Sequence, residues 1–235
     1  MQAIVLAGGL GTRLRSVVPE LPKPMAPVAG RPFLTYVLDG LVEAGFEAAV
    51  LAVGYRAEAI REHFGDAYRG LALRYSVETT PLGTGGAIRL AWSQAVADPV
   101  FVLNGDTWLD LDYRAMLNAH VAAGVGLSVA VCEVPDVARY GSLEVVQGRL
   151  RRFREKGENG PGLINAGTYL VAAEVMRRIP PGRPHSFEQE LLMPLVEEIR
   201  PLAYMARRGF IDIGVPEDYA RAQALFAAPG RSPAP

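Results

Sequence analysis

Short apolar runs alternate with amphipathic segments along the first half of the chain. The runs Gln2–Leu6, Ala48–Val53 and Val100–Asn104 are almost continuously apolar, which is typical of strands covered on both faces. Residues 31–44 repeat apolar side chains at helical spacing, and Gly45 supplies a helix end. This alternation predicts an α/β fold in which helices cover both faces of a mostly parallel sheet.

The pattern changes after residue 126. Leu127–Val134 is predicted to be a strand, and residues 142–146 and 150–154 are predicted to form a hairpin around Gln147-Gly148. We expect a single domain over residues 1–228, with a first half at about 1–125 and a second half at about 126–228. Residues 229–235 are expected to be a frayed tail.

Composition excludes several classes of protein. The net charge of −1 gives no basic stripe for a nucleic-acid polymer. No apolar run is long enough to cross a membrane, and no leader follows Met1, so we expect a cytoplasmic protein. Cys132 is the only cysteine and lies in an apolar run, which favours a buried structural thiol. A homo-oligomer is compatible with this composition.

The clearest chemical signal is the glycine-rich stretch from Leu6 to Leu14. It follows a predicted strand, and its glycines let backbone N–H groups approach an anion closely. It matches neither the Walker A pattern nor the dinucleotide fingerprint, because it ends in neither Gly-Lys nor a third spaced glycine. An ordinary strand-to-helix turn would need the glycines but not the cations Arg13 and Lys23. We therefore interpret it as a phosphate-binding loop.

A second glycine-rich run covers residues 78–87 and leads into a predicted helix. Such a loop follows the carboxyl end of a strand, where ligands bind in α/β sheets. Its backbone could contact a base or a ribose, and a tight turn at a helix start explains the glycines equally well.

Two separated aspartates have the surroundings expected of metal ligands. Asp106 follows the strand Val100–Asn104 after a glycine, although it could equally cap a turn. Asp212 lies between two isoleucines, where a carboxylate is costly unless a cation pairs with it. Asp110 and Asp112 form a D-x-D pair, but Asp112 is more simply the N-cap of a helix over Tyr113–Ala123.

These groups together favour phosphoryl or nucleotidyl transfer, which depends on held phosphates and neutralised charge. No catalytic triad or cysteine-histidine metal spacing competes with this interpretation. His63, His120 and His185 are isolated, and we expect them at the surface or at caps.

The motifs resemble the signature of the sugar-1-phosphate nucleotidylyltransferases, in order and over nearly the whole chain. The matching segments are residues 6–14 with Lys23-Pro24, then residues 81–86, 104–106, 140–141, 155–156, 165–169 and 212–219. The resemblance implies a Rossmann-like α/β/α fold of the nucleotide-diphospho-sugar transferase type, with a mostly parallel mixed central sheet. It makes residues of about 1–125 the nucleotide-binding half and about 126–228 the sugar-phosphate half. It also implies attack of a sugar 1-phosphate on the α-phosphorus of a nucleoside triphosphate, with Mg²⁺ and release of pyrophosphate.

By this resemblance, Arg13 holds the β- and γ-phosphates, Lys23 the α-phosphate region, and Asp106 and Asp212 ligate Mg²⁺. Arg13, Lys23 and Asp106 are then the catalytic residues. The residues implied in nucleotide binding are Leu6, Ala7, Gly8, Gly9, Gly11, Thr12, Gly83, Thr84 and Gly86. Those implied in sugar-phosphate binding are Tyr140, Gly141, Glu155, Lys156, Asn165 and Gly167, with Lys156 on the phosphate.

The branch of the family is indicated by three details. Gly157 follows Lys156 where many members have proline, and the runs at residues 81–86 and 186–190 are most similar to heptose 1-phosphate guanylyltransferases. We expect GTP and a manno-heptose or mannose 1-phosphate as substrates, supplying a precursor of cell-surface polysaccharide. Open alternatives are a uridylyl- or thymidylyltransferase, a D-x-D glycosyltransferase, and a non-catalytic nucleotide-sugar-binding subunit.

Overall fold

The computed structural model describes residues 1–9, 14, 21–154, 157, 159–206 and 209–227. Its strands are β1 (Gln2–Leu6), β2 (Pro27–Val28), β3 (Arg31–Pro32), β4 (Ala48–Val53), β5 (Ala67–Tyr68), β6 (Leu71–Val77), β7 (Val100–Asn104), β8 (Thr107–Leu109), β9 (Leu127–Val134), β10 (Leu143–Val146), β11 (Arg149–Phe153), β12 (Gly162–Val171), β13 (Leu202–Met205) and β14 (Phe210–Asp212). Its α-helices are α1 (Phe33–Glu43), α2 (Ala57–Phe64), α3 (Gly83–Trp92), α4 (Tyr113–Ala123), α5 (Ala173–Met176), α6 (Met193–Ile199) and α7 (Pro216–Ala227). A 3₁₀ turn covers Lys23–Met25, and a π-helix covers Phe187–Leu192.

The central sheet is mixed. In the described part of the chain it has ten strands in the order β10-β11-β13-β9-β12-β7-β1-β4-β6-β5. Strands β7, β1, β4 and β6 run parallel to one another, whereas β12 is antiparallel to both β7 and β9. The short strands β8 and β14 pair separately, antiparallel.

Helices cover both faces of this sheet, which confirms the predicted α/β/α layers. Successive residues of β1 point to opposite faces, so Ala3 and Val5 belong to one apolar cluster and Ile4 to another. The first cluster is completed by α1, α2, α4 and α7, and the second by α3, α5, α6 and the π-helix. No helix within the described ranges is long and apolar enough to cross a membrane.

Parallel pairing brings four strand ends to one edge of the sheet. Leu6 pairs with Ala52 on one side and Asn104 on the other, and Val53 pairs with Val77. The segments after β1, β4, β6 and β7 therefore emerge together, where ligands bind in folds of this kind.

A buried carboxylate on α1 holds together three elements of the first half of the chain. Asp39 of α1 is fully buried and accepts hydrogen bonds at 2.7 Å from both Arg31 and Arg69. The hydroxyl of Tyr68 donates to it at 2.8 Å. Because a buried charge needs partners, this set ties α1 to the β2–β3 hairpin and to the β5–β6 hairpin.

Most predicted elements are confirmed, including the turn at Gln147-Gly148, where both residues have positive φ. Asp112 does cap α4, since it accepts from the Ala115 N–H at 2.9 Å. The prediction for two histidines was wrong, because His120 and His185 are buried. The His120 ring contacts Ser128 of β9 at 2.7 Å, and the His185 ring lies against Gly85 of α3.

Ser186 caps the π-helix, with a capping box displaced by one residue. The Ser186 hydroxyl accepts from the Gln189 N–H at 3.1 Å, as expected of an N-cap. The Ser186 N–H in turn donates to Oε2 of Glu190 at 2.6 Å, rather than to the side chain of Gln189. The wider π-helical turn accounts for this shift by one residue, and Pro194 then lies in the first turn of α6.

Candidate active site

A lysine between two aspartates forms the chemical centre of the described structure. The ammonium of Lys23 donates to a carboxylate oxygen of Asp106 and lies 3.4 Å from Oδ1 of Asp212. The Lys23 side chain is 12% exposed, and the two carboxylates are 31% and 27% exposed. Asp106 follows Lys23 by 83 residues in the sequence, and Asp212 follows it by 189. The three side chains nevertheless face a common, partly solvated space.

Backbone pairing brings the two aspartates together. Asp106 follows β7, and the Gly105 N–H donates to the Leu6 carbonyl of β1 at 2.8 Å. Asp212 ends β14, where it pairs with Thr107 of β8, and the Ile213 N–H donates to the Asp106 carbonyl at 3.1 Å. Both carboxylates are thus fixed by main-chain bonds to the same edge of the sheet.

Asp212 is in a setting that disfavours its charged form. Burial, and next the nearby charge of Asp106, raise the pKa of Asp212, while Lys23 and the Gly214 N–H oppose the shift. Gly214 lies so close that a Cβ there would be 3.0 Å from a carboxylate oxygen of Asp212 and 3.2 Å from the Lys23 ammonium. The glycine therefore leaves room for this carboxylate–ammonium group.

The same two carboxylates fit a divalent cation. They converge on one positive charge, the ammonium, and carboxylate oxygens are the protein ligands that Mg²⁺ prefers. Within the described ranges, no group of three or more acidic, histidine or cysteine side chains could hold a metal ion. A pair is sufficient for Mg²⁺ that takes its remaining ligands from water and substrate phosphates.

A cavity of 610 Å³ opens beside Lys23 and Asp106. Its walls come from the segments after β1, β4, β6 and β7. The lining residues are Leu6, Gly8, Gly9, Lys23, Pro24, Ala52, Gly54, Tyr55, Glu78, Thr79, Thr80, Pro81, Gly83, Thr84, Ala87, Asn104 and Asp106. Its volume is that of a site for a nucleotide-sized ligand. Of the predicted nucleotide contacts, Ala7 and Gly86 are buried instead of lining it.

Glu78 is a cavity residue that the sequence prediction missed. Its Oε2 accepts from the Leu82 N–H at 3.0 Å, which orients the carboxylate. Its Oε1 lies against two glycines, since a Cβ on Gly8 or Gly54 would be within 2.9 Å of it. The only local signal in the sequence is its position, since Glu78 directly follows β6 and opens the second glycine-rich run.

The second glycine run begins helix α3 instead of forming an extended loop. Gly85 and Gly86 both donate to the His185 carbonyl, at 2.8 and 3.2 Å. The Phe187 N–H donates to the Thr84 hydroxyl at 3.0 Å. A Cβ on Gly83 would be 2.8 Å from the same His185 carbonyl. The glycines are therefore needed for close packing against residues 183–187, while Gly83 and Thr84 face the cavity.

Two of the predicted sugar-phosphate residues, Asn165 and Gly167, lie beside Asn104 of this cavity. Gly167 has φ +71° and packs against Asn104, a cavity residue; a Cβ there would be 2.6 Å from the Asn104 amide nitrogen. Asn165 accepts from the Gly167 N–H at 3.1 Å and donates to the Tyr169 hydroxyl at 2.7 Å. Its amide nitrogen is 3.5 Å from the Glu188 carboxylate, so residues from β12 and the π-helix meet here.

Five predicted residues lie outside the described part of the chain: Gly11, Thr12, Arg13, Glu155 and Lys156.

Cys132 is buried, as predicted, and burial raises its pKa to about 12. Asp110 and Asp112 line a different cavity, of 690 Å³, with residues of α1 and α7. Among the residues that the structure describes, this cavity and the cavity at Lys23 share no lining residue.

Comparison with known proteins shows which family the chain belongs to. The model of the family described as nucleotidyl transferase matches residues 2–228. The D-glycero-alpha-D-manno-heptose 1-phosphate guanylyltransferase of Aneurinibacillus thermoaerophilus is 40% identical over 223 residues, which are 95% of this chain and 97% of the relative. The mannose-1-phosphate guanylyltransferase of Mycobacterium tuberculosis is 35% identical over 240 residues, covering 67% of that protein.

Two solved structures have the same fold as this chain. HddC from Yersinia pseudotuberculosis, complexed with GMP-PN, superposes with a TM-score of 0.85 at 36% identity, covering 96% of this chain and 99% of HddC. A putative glucose-1-phosphate thymidylyltransferase from Bacillus anthracis, 20% identical, shares the fold with a TM-score of 0.84. The resemblance to sugar-1-phosphate nucleotidylyltransferases, closest to the heptose 1-phosphate guanylyltransferase branch, is confirmed. The chain belongs to the nucleotidyl transferase family.

Proposed function

We propose that this protein transfers a guanylyl group from GTP to a manno-heptose or mannose 1-phosphate. The products are a GDP-sugar and pyrophosphate. The observation that carries the proposal is the Lys23 ammonium held between Asp106 and Asp212 at the mouth of a nucleotide-sized cavity. Relatives named as guanylyltransferases for these sugar phosphates support the choice of substrates.

The reaction is a substitution at phosphorus. An oxygen of the sugar 1-phosphate attacks the α-phosphorus of GTP and forms a new P–O bond. The bond from the α-phosphorus to the oxygen that bridges to the β-phosphate breaks, and pyrophosphate leaves with the electron pair. The protein needs to hold the reacting oxygens in line and to neutralise the charge on the phosphates.

Each part of the site has a task in this reaction. Lys23 lies within a partly buried pair of carboxylates and is close enough to the cavity to donate to the α-phosphate. Asp106 and Asp212 would hold Mg²⁺, which when bound supplies positive charge to the triphosphate. The glycine stretch at Gly8 and Gly9 offers backbone donors to the nucleotide. Arg13 is proposed for the β- and γ-phosphates and Lys156 for the sugar phosphate.

Glu78 gives a physical reason for choosing guanine. The Watson–Crick edge of guanine presents two neighbouring N–H donors, and a carboxylate is the side chain that accepts two parallel hydrogen bonds. Glu78 is fixed in the cavity wall by the Leu82 N–H and by close packing on Gly8 and Gly54. Uracil and thymine present one donor between two acceptors, so a carboxylate is a poorer partner for them. We assign base recognition to Glu78.

A pyrophosphate-release screen tests the proposal. Purified protein with Mg²⁺ is assayed with GTP, ATP, UTP, CTP and dTTP against manno-heptose, mannose and glucose 1-phosphates. We expect turnover with GTP and a manno-configured sugar phosphate. Turnover confined to UTP or dTTP would contradict the guanylyl assignment, and pyrophosphate release that does not depend on a sugar phosphate would contradict the transfer reaction.

Variants test the residue assignments. Asp106→Ala and Lys23→Ala are each expected to reduce turnover by about 10²-fold or more, as loss of a preorganised charged group does. Glu78→Gln is expected to reduce kcat/KM for GTP by about 10²-fold, because one acceptor becomes a donor facing guanine. Glu62→Gln, an exposed residue of α2, is the matched control and should leave kcat/KM unchanged. An E78Q enzyme that keeps its kcat/KM for GTP would refute the role of Glu78.

A cytoplasmic location and the supply of precursors for cell-surface polysaccharide belong to the same proposal. They follow from the substrates and from the resemblance to the heptose 1-phosphate guanylyltransferases. Cell fractionation with an antibody against the protein tests the location.

A further inference from the structure

Asp218 is a buried carboxylate for which the assigned site has no use. It lies in the first turn of α7 and is 4% exposed. A buried carboxylate is costly without partners, and Asp218 has three. Arg139 donates to its Oδ2, Arg221 reaches its Oδ1 at 3.0 Å, and the Tyr140 hydroxyl is 3.4 Å from Oδ2.

Two of these partners come from a distant loop. Arg139 and Tyr140 lie 79 and 78 residues before Asp218 and belong to the turn that ends in Gly141. The Val137 carbonyl closes this turn by accepting from the N–H groups of Tyr140 and Gly141, at 2.9 and 3.0 Å. Arg221 differs, because it lies one turn further along the same helix as Asp218, and its exposed 3.4 Å contact with the Phe210 carbonyl is also outside the loop.

A second contact joins the same loop to the strand that carries Asp212. The rings of Tyr140 and Phe210 meet edge to face, with centroids 5.5 Å apart. Phe210 begins β14, and Asp212 ends it. The guanidinium of Arg139 also lies 5.2 Å from the centre of the Tyr140 ring. The Tyr140–Gly141 turn is therefore held against β14 and α7 by one ion pair and one ring contact.

The loop also supports the segment that follows Glu155 and Lys156. The Gly157 N–H donates to the Ala138 carbonyl at 3.0 Å, and the Val137 N–H donates to the Gly160 carbonyl at 3.0 Å. Residues 137–141 thus contact both the metal-ligand strand and the chain beside the proposed sugar-phosphate lysine. A displacement of this loop would move the two halves of the site relative to each other.

We propose that Arg139, through its ion pair with Asp218, is a positioning residue for the sugar 1-phosphate. It holds the Tyr140–Gly141 turn at a fixed distance from Asp212, so that the sugar phosphate and the nucleotide meet in line. This inference rests on the proposed function for its kinetic consequence. Its structural part, the fixing of the turn, stands independently of the substrate.

The kinetic test compares Arg139→Ala with Arg221→Ala. Both remove a guanidinium from the same carboxylate, but only the first detaches the loop from α7. We expect R139A to raise KM for the sugar 1-phosphate about tenfold, because small displacements of a bound reactant are costly, and to leave KM for GTP within about twofold. R221A should leave both KM values within about twofold of wild type.

Chemical rescue distinguishes the loss of this one contact from a general loss of stability. The Arg139 side chain is 43% exposed, so the space left by R139A is open to solvent. Millimolar ethylguanidine is expected to lower the raised KM of R139A, while ethylamine, which lacks the planar fork of donors, should not. Arg139→Lys keeps the charge and serves as a second variant, with an intermediate KM.

Hydrogen–deuterium exchange tests the fixing of the turn without any substrate. In R139A, the amides of Tyr140 and Gly141 should exchange at least tenfold faster than in wild type, and in R221A they should be unchanged. Equal effects of R139A and R221A on exchange or on KM would overturn the inference, as would a loss in R139A that falls equally on both KM values. If the wild-type protein shows no sugar-phosphate-dependent turnover, the proposed function fails, and the exchange comparison alone decides the inference.

Discussion

Gly105 provides a sharp test of how the backbone places Asp106. It lies between β7 and Asp106, and its N–H donates to the Leu6 carbonyl of β1 at 2.8 Å. A Cβ at this position would be 2.7 Å from that carbonyl oxygen and 3.3 Å from a methyl group of Val5. Both atoms belong to the central strand β1, so Gly105→Ala cannot be accommodated by moving one flexible side chain.

The size of the effect follows from this geometry. Ordinary contact needs about 3.4 Å, so the two backbones must separate by about 0.7 Å in a closely packed sheet. Overpacking of this kind costs about 1–3 kcal/mol, which lowers Tm by roughly 3–10 °C in a chain of this length. Because Asp106 is the next residue, its carboxylate moves away from Lys23, and turnover should fall by about 10- to 100-fold.

Gly40→Ala is the matched control. Gly40 lies inside α1, and a Cβ there would have no atom within 4 Å. Alanine should stabilise this helix by about 0.5–1 kcal/mol and leave turnover unchanged. The measurements are thermal unfolding by circular dichroism and pyrophosphate release with GTP and the sugar phosphate that the screen identifies. A G105A protein with wild-type Tm and turnover would refute the reasoning, because Asp106 would then not depend on the close approach of β1 and β7.

Three further predictions concern buried polar groups. Asp39→Ala leaves its two arginine partners without their carboxylate and should lower the free energy of unfolding in urea by about 3 kcal/mol, whereas a loss below about 1 kcal/mol would contradict the buried-charge argument. Burial lowers the pKa of His120 against the opposing charge of Asp98, so the unfolded chain takes up a proton first and stability should fall as pH drops below about 6.5. His120→Asn, which can keep the 2.7 Å contact to Ser128, should flatten that pH dependence, and an unchanged slope would exclude His120 as its source. The Cys132 thiol should react with a disulfide reagent at pH 8 at least 10²-fold more slowly in the folded than in the urea-unfolded protein, and equal rates would contradict its burial.

The sequence predicted the layers of the fold well because hydrophobic patterning is local. Strand β4 is a continuous apolar run, and helix α4 begins at a capping aspartate, so both follow from neighbouring residues. The order of strands in the sheet could not be predicted from local patterning. The antiparallel position of β12 between β7 and β9 depends on pairing over long sequence distances, which no local pattern encodes.

The same division applies to the site. Lys23, Asp106 and Asp212 were identified individually from their local surroundings, but only the fold shows that one ammonium contacts both carboxylates. Glu78 and Arg139 were missed because their partners are backbone groups or a helix far along the chain. Local sequence identified the charged groups, while the contacts that orient them required the structure.

The glycines beside the acidic residues carry more information about this site than the acidic residues alone. Aspartates are common at strand ends, where they cap turns, so Asp106 and Asp212 are ambiguous by themselves. Gly105 and Gly214 are different, because each is adjacent to a backbone or carboxylate oxygen at a distance that no Cβ tolerates easily. Neither has the positive φ that would explain a glycine by turn geometry. Their absence of side chains is explained by the close approach of Lys23, Asp212 and β1, and that approach is what the proposed transfer requires.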